Sequence, residues 1–221
     1  PRSGLGEEQD TALYTAESGW VEWSFQVQEA GVYALELRYL PAEGKGSSIV
    51  RHVRIDGQSP FDEAANVSFP RAYKNSESEK QYDLNGNQIR PSQTEDPQWE
   101  TVFVRDALGL FEEPLGFYLT AGTHTLRLES VREPMFIGGI HLCRPEVPQW
   151  ENTASAQPAP EAILLEGEDA ARRSDSRTYP ISDRSSAATS PSSSSKILLN
   201  TIGGDKWTEA GQWLEWTVQL D

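Results

Sequence analysis

ESGWVEWSFQVQEAGVYALELRYLP (residues 17–41) carries a clear two-residue period. Val21, Trp23, Phe25 and Val27 alternate with Trp20, Glu22, Ser24 and Gln26. Successive side chains on a β-strand point to opposite sides, so this spacing describes a half-buried strand. Gln28-Glu29-Ala30-Gly31 then reads as a turn. Residues 32–40 form a second strand, with Tyr33, Leu35, Leu37 and Tyr39 on one face and Ala34, Glu36 and Arg38 on the other. Two such strands joined by a short turn are expected to pair as a hairpin.

The same signals recur downstream. Residues 48–55 read as a strand that ends at Asp56-Gly57, a tight-turn dipeptide. Residues 100–104, 115–119, 123–131 and 135–142 read as further strands, and only short pieces such as 62–65 suit a helix. Many short strands separated by Gly, Pro and Asn predict an all-β protein, an antiparallel β-sandwich of jelly-roll type.

Composition narrows the function classes. The chain has 221 residues, of which 37% are hydrophobic and 10% aromatic, enough for a substantial core. Its formal net charge is −15. An acidic surface repels phosphate backbones, which argues against nucleic acid and anionic membranes as partners. The single cysteine, Cys143, allows no internal disulfide and no Cys-rich zinc site. No apolar run reaches the ~18 residues of a membrane-spanning helix.

Residues 67–96 stand apart as a long polar segment punctuated by Pro70, Gly86 and Pro91. Compact domains seldom carry such segments without a use for them. Residues 146–160, rich in Pro, Ala and Gln, read as a linker. Beyond it, 162–165 is expected to start a strand, and 197–199 reads as another.

The opening pattern returns as EAGQWLEWTVQLD, residues 209–221. Aligning Trp20 with Trp213 also superposes Glu22 on Glu215, Trp23 on Trp216 and Gln26 on Gln219. Leu214, Trp216, Val218 and Leu220 keep the alternation. Two related domains are therefore expected: a sandwich over 1–145 lacking its first strand, and the opening part of a second over 161–221. The alternative is that the late segment supplies strands to the first sandwich. Residues 163–168 would then fill its open edge, from the same chain or from a neighbour by strand exchange.

GWVEWSFQVQEAGVYALELRY resembles carbohydrate-binding modules of the galactose-binding-like type, families 6 and 35. The shared positions are Trp20, Glu22, Glu29-Ala30-Gly31, Tyr33, Arg38 and Tyr39. VRIDGQSPFDEAANVSFPRAY (53–73), GNQIRPSQTEDPQWETVFVRDALGLFEEP (86–114) and LTAGTHTLRLESVREPMFIGGIHL (119–142) resemble large extracellular solute-binding proteins of Gram-positive sugar ABC transporters. So do YPISDRSSAATSP (179–191) and LNTIGGDKWTEAGQWLEW (199–216). Those proteins carry tandem β-sandwiches beside the transporter-type domain. The resemblance implies an extracellular or cell-surface accessory region with oligo- or polysaccharide and neighbouring domains as partners. The modules place a sugar-binding Asn in the last strand, where this chain reads Phe136-Ile137-Gly138-Gly139-Ile140. They also hold a structural calcium on a Glu-x-Glu strand. Glu166 and Glu168 match that strand, and on a strand both would face one way, which suits the oxygen ligands of a hard cation; the alternative is an edge strand with its charges facing water.

Ligand-binding candidates are Trp99, Tyr73, Arg71, Asn75, Arg90 and Glu95 from the polar segment, together with the outward-facing Trp20. Aromatic faces stack on sugar C–H groups, and amides, guanidinium groups and carboxylates bond hydroxyls. The competing reading has Arg71 and Arg90 pairing with local acids to pin the segment, and Trp20 packed under a loop. Asp83-Leu84-Asn85-Gly86-Asn87 imitates a calcium loop but reads better as a tight turn. Catalysis is not expected. Glu112, Glu113, Glu129 and Glu133 offer carboxylates for glycoside hydrolysis, but an acidic chain supplies such pairs by chance. Non-catalytic carbohydrate recognition is the leading expectation, and a structural spacer is its rival.

Overall fold

The computed structural model describes residues 11–108, 113–144, 163–186, 189–203, 207–208 and 211–218. The expectations that touch Glu112, residues 146–160, Ala162, Gln219 and Leu220 lie outside them. The larger strands are β1 (Leu13–Thr15), β2 (Trp20–Val27), β3 (Gly31–Pro41), β4 (Ile49–Ile55) and β5 (Val67–Phe69). Within the polar segment follow β6 (Tyr73–Asn75), β7 (Gln81–Tyr82), β8 (Gln88–Ile89) and β9 (Gln93–Glu95). Next are β10 (Glu100–Phe103), β11 (Gly116–Leu119), β12 (Gly122–Arg132) and β13 (Met135–Cys143). The tail contributes β14 (Arg172–Arg173), β15 (Tyr179–Ile181), β16 (Thr201–Gly203) and β17 (Leu214–Glu215). Single 3-10 turns occur at Asp62–Asn66 and Gly167–Asp169. No helix among the described residues is long and apolar enough to cross a membrane.

The protein is an all-β antiparallel sandwich. One layer runs β1-β13-β3-β10, with β11 also paired to β3, and the other runs β2-β12-β4-β5. Their inner faces share one core, with Leu35, Leu37, Tyr39 and Met135 from the first layer and Ile49, Val53, Phe69 and Leu128 from the second. Each side chain so enclosed contributes about 1.5–3 kcal/mol relative to exposure.

The expected strands of the sandwich are present, and the inward faces of β2 and β3 are those read from the alternation. The expected β2–β3 hairpin is not. β2 pairs with β12, from Gly122↔Val27 to Glu129↔Trp20, while β3 pairs with β13, β10 and β11 in the opposite layer. A hairpin and a corner between two sheets bury the same alternate residues, so the period does not separate them. Asp56 and Gly57 do make the expected turn, with φ of 51° and 78°. Two successive positive φ angles match the twist of the strands they join.

Arg51 occupies an inward position of β4 and is fully buried. Its guanidinium donates to the carbonyls of Val50, Arg132 and Glu133 and to the Thr15 hydroxyl. Burial lowers its pKa to about 10.

Residues 67–96 are ordered by short ladders rather than left as loop. β5 joins β4, β6 pairs with β9, and β7 pairs with β8. Ladders this short leave no legible period. The tail locks onto this segment: Arg173 of β14 pairs with Tyr73 of β6, and Arg172 with Glu215 of β17. The resulting sheet, β17-β14-β6-β9, draws strands from both halves of the chain. The strand expected from residue 162 is absent among the described residues, since 163–166 are unladdered and Gly167–Asp169 is a 3-10 turn. The strand expected at 197–199 falls instead at β16, which pairs with β15.

Candidate functional site

The seven predicted ligand-binding residues lie in different places. Arg71 is interior. Its Nε donates to Ser47 O at 2.9 Å, Nη1 to Ala42 O at 3.0 Å and also to Glu95 Oε1, and Nη2 to Glu133 Oε2 at 2.9 Å. Glu133 also accepts from the Lys45 backbone N–H at 2.8 Å and the Ser47 hydroxyl at 2.9 Å. Burial pushes the Glu133 carboxyl up, but these donors outweigh it and hold its pKa below the ordinary range. Tyr73 closes the same cluster by donating to Gly46 O at 3.0 Å. Arg71, Tyr73 and Glu95 thus come together as a node that pins the polar segment to the sandwich, with Arg71 withdrawn from solvent.

Trp99 goes elsewhere. It packs with Ala12, Ala42 and Phe136, and the Arg38 guanidinium lies 4.4 Å from its ring centroid. The stack sits over the bulge in β13 at Gly138, where register slips between Ile137 and Gly139. A Cβ on Gly138 would come within 2.9 Å of both Arg38 and Trp99. Glycine is needed for that close approach.

Trp20 is 60% exposed. One ring face carries the Arg127 guanidinium at 4.1 Å, and Arg127 Nε donates to Glu22 at 2.9 Å. The second Trp-x-Glu does the same. Arg172 lies 5.5 Å from the Trp213 ring and donates to Glu215 at 3.3 Å. In both cases the arginine is the direct cross-strand partner of the glutamate. The motif therefore clamps an arginine from the adjacent strand through a cation–π contact and an ion pair.

Asn75 and Arg90 line a cleft of about 590 Å³ between the polar segment and the tail. Lys74, Glu77, Lys80 and Gln88 line the segment side, and Glu168, Asp169, Pro180 and Leu199 the tail side. The Arg90 guanidinium stacks 4.1 Å above the Tyr179 ring. Asn75 Oδ1 accepts from Gln93 at 2.9 Å. Lys80 pairs with Asp169 at 2.9 Å across the cleft.

Glu168 is only 4% exposed, and its Oε1 has no hydrogen-bond partner. Burial raises its pKa, and nearby Asp169 and Glu166 raise it further. Glu166 precedes the turn, and its carbonyl accepts from Trp216 Nε1 at 2.9 Å. The two glutamates are therefore set by a 3-10 turn, not by the expected strand face. Among the described residues no group of three His, Cys, Asp or Glu side chains is arranged to hold a metal. Even so, an orphaned buried carboxylate oxygen beside two further acids is the donor chemistry a calcium ion takes.

Sequence reading missed Lys80, Asp169 and Tyr179. Each acquires its partner only when tail and segment meet. The Tyr-Pro pair at 179–180 and the lone lysine in the acidic run 77–80 were the available signals.

No protein-family model matches the chain, and no curated protein matches it. Among solved structures it is similar to a family 35 carbohydrate-binding module from an environmental isolate. The two are 16% identical, the match covers 64% of this chain and 74% of that one, and the TM-score is 0.32.

Proposed function

We propose that this chain is a non-catalytic carbohydrate-recognition region, built from two related β-sandwich copies in an extracellular sugar-uptake protein of Gram-positive type. The cleft between the polar segment and the tail is the observation that carries the reading. It has the volume of a small-ligand site. It offers an amide at Asn75, a fixed guanidinium at Arg90 and carboxylates at Glu77 and Asp169. A glycan array on the whole chain, followed by calorimetry on any hit, tests the reading. The double substitution Asn75→Ala/Arg90→Ala is expected to weaken binding at least ten-fold, about 1.4 kcal/mol. Trp99→Ala is expected to leave affinity within about two-fold, since its ring packs at the β13 bulge. A large loss with Trp99→Ala and none with the double variant would move the site.

Absence of binding to every glycan would favour the second reading, a structural spacer. The two Trp-x-Glu clamps favour it, because they employ the outward tryptophans in holding strands together.

A calcium ion at Glu168, with Glu166 beside it, belongs to the same proposal. Bound there, it would neutralise a buried carboxylate and brace the turn that walls the cleft. Millimolar calcium is then expected to raise the melting temperature, about 2–4 °C for each kcal/mol at this chain length. Glu168→Gln should abolish that response. Identical melting of the unmodified chain in calcium and in chelator would remove the ion from the proposal.

A further inference from the structure

β12 carries a bulge whose effect falls on one side chain. Ser130 pairs with Arg51 of β4, and Arg132 pairs with the adjacent Val50, so two steps on β12 match one on β4. Leu126 and Leu128 face the core, and an unbroken alternation would turn Arg132 inward as well. The extra residue reverses the parity and aims Arg132 out of the layer. Val50 pairs in turn with Ser68 of β5. Arg132, Val50 and Ser68 therefore stand side by side across three strands on one outer face. Ser48 and Asn66 lie two residues before Val50 and Ser68, at the starts of the same strands.

These five residues line one pocket of about 410 Å³, and Arg177 of the tail joins them. Arg132 Nε donates to Ser48 O at 3.0 Å, which fixes the side chain. Both of its terminal nitrogens have no hydrogen-bond partner among the described residues. The Ser48 and Ser68 hydroxyls and the Asn66 side-chain amide are unpartnered in the same sense. Arg177 is held by Asp175, so its charge is partly offset and Arg132 is the anchor.

No carboxylate lines the pocket among the described residues. In a chain of net charge −15, such a pocket is a local field of opposite sign. A net charge that repels a polyanion does not bar a single anionic group that meets only this field.

We propose that the pocket binds a tetrahedral oxyanion, the phosphate or sulfate group of a small ligand. A guanidinium fork delivers two parallel N–H bonds to such a group. The hydroxyls and the amide approach from β4 and β5, so the donors reach three oxygens at once, whereas a planar carboxylate offers two. The pocket shares no residue with the cleft at Asn75 and Arg90, and either site stands if the other fails.

NMR titration of the whole chain with sodium phosphate and with sodium sulfate, at constant ionic strength, tests the proposal, with sodium acetate as the planar comparator. Saturable shifts of the Arg132 Nε–H and Ser68 amide signals are expected with phosphate or sulfate. Acetate is expected to bind at least ten-fold more weakly. The tighter of the two tetrahedral anions identifies the group the ligand carries. Arg132→Gln should weaken binding at least ten-fold. Ser68→Ala should weaken it about three-fold, the worth of one modest hydrogen bond. No saturable shift with either tetrahedral anion overturns the proposal, as does acetate binding as tightly as they do. Affinity left unchanged by Arg132→Gln in a folded chain also overturns it. Should that variant not fold, unchanged affinity in Ser68→Ala has the same force.

Discussion

Glu133→Gln is expected to lower stability by about 3–5 kcal/mol, the usual loss when one partner of a buried ion pair is removed. The amide keeps the size of the side chain but not its charge. Arg71 would remain enclosed, with Glu95 as its only carboxylate partner among the described residues, and the Lys45 N–H and Ser47 hydroxyl would face a weaker acceptor. Urea unfolding should show a lower midpoint at unchanged slope. The pH dependence has a definite sign. The folded-state pKa of Glu133 lies below its unfolded value. Its contribution is therefore full above the unfolded pKa, about 4.3, and fades as pH falls through the folded one. The Gln variant should lack that part of the acid sensitivity. A midpoint within experimental error of the unmodified chain would refute the keystone role of the pair.

Arg172→Ala is expected to release the tail. Arg172 is the centre of a charge network that crosses the two halves. It reaches Asp96 at 3.0 Å, Glu100 at 3.1 Å and Glu215 at 3.3 Å. Burial raises the Glu100 carboxyl even with the arginine in place. Without it, three carboxylates face one another across a joint that keeps the β6–β14 ladder, the Lys80–Asp169 pair and the Gln88–Ile197 backbone bond. The network is mostly but not wholly buried, so the loss should be about 2–3 kcal/mol, between the exposed and enclosed limits. Hydrogen exchange reads this directly. The Ala171 amide, which bonds Glu215 O, should exchange about 30- to 150-fold faster while β12 and β13 stay protected. Arg172→Lys should recover only part, because the single ammonium nitrogen cannot span three carboxylates that Arg172 reaches from Nε, Nη1 and Nη2 separately. Equal acceleration in β12 would point to global destabilisation instead.

These two residues also mark the boundary of sequence reading. The charges at Arg71 and Glu95 were legible as a local pairing, and that pairing is present. Glu133, 62 residues further on, was visible only as a surplus acid. The outward parity of Trp20 was equally plain, whereas its arginine arrives from β12, more than a hundred residues away. The cleft was half-visible. Asn75 and Arg90 were named from their chemistry, but the wall that faces them comes from the tail.

What the chain dictates alone is the alternation. The positions of β2, β3, β4, β10, β11, β12 and β13, the inward faces of β2 and β3, and the Asp56-Gly57 turn all follow from contacts between near neighbours in sequence. Which layer each strand joins, the burial of Arg71 and Arg51, and the meeting of tail and polar segment required the folded molecule. A side chain's facing is set by its neighbours along the backbone, but a strand's pairing partner is chosen by burial and hydrogen bonding between distant segments.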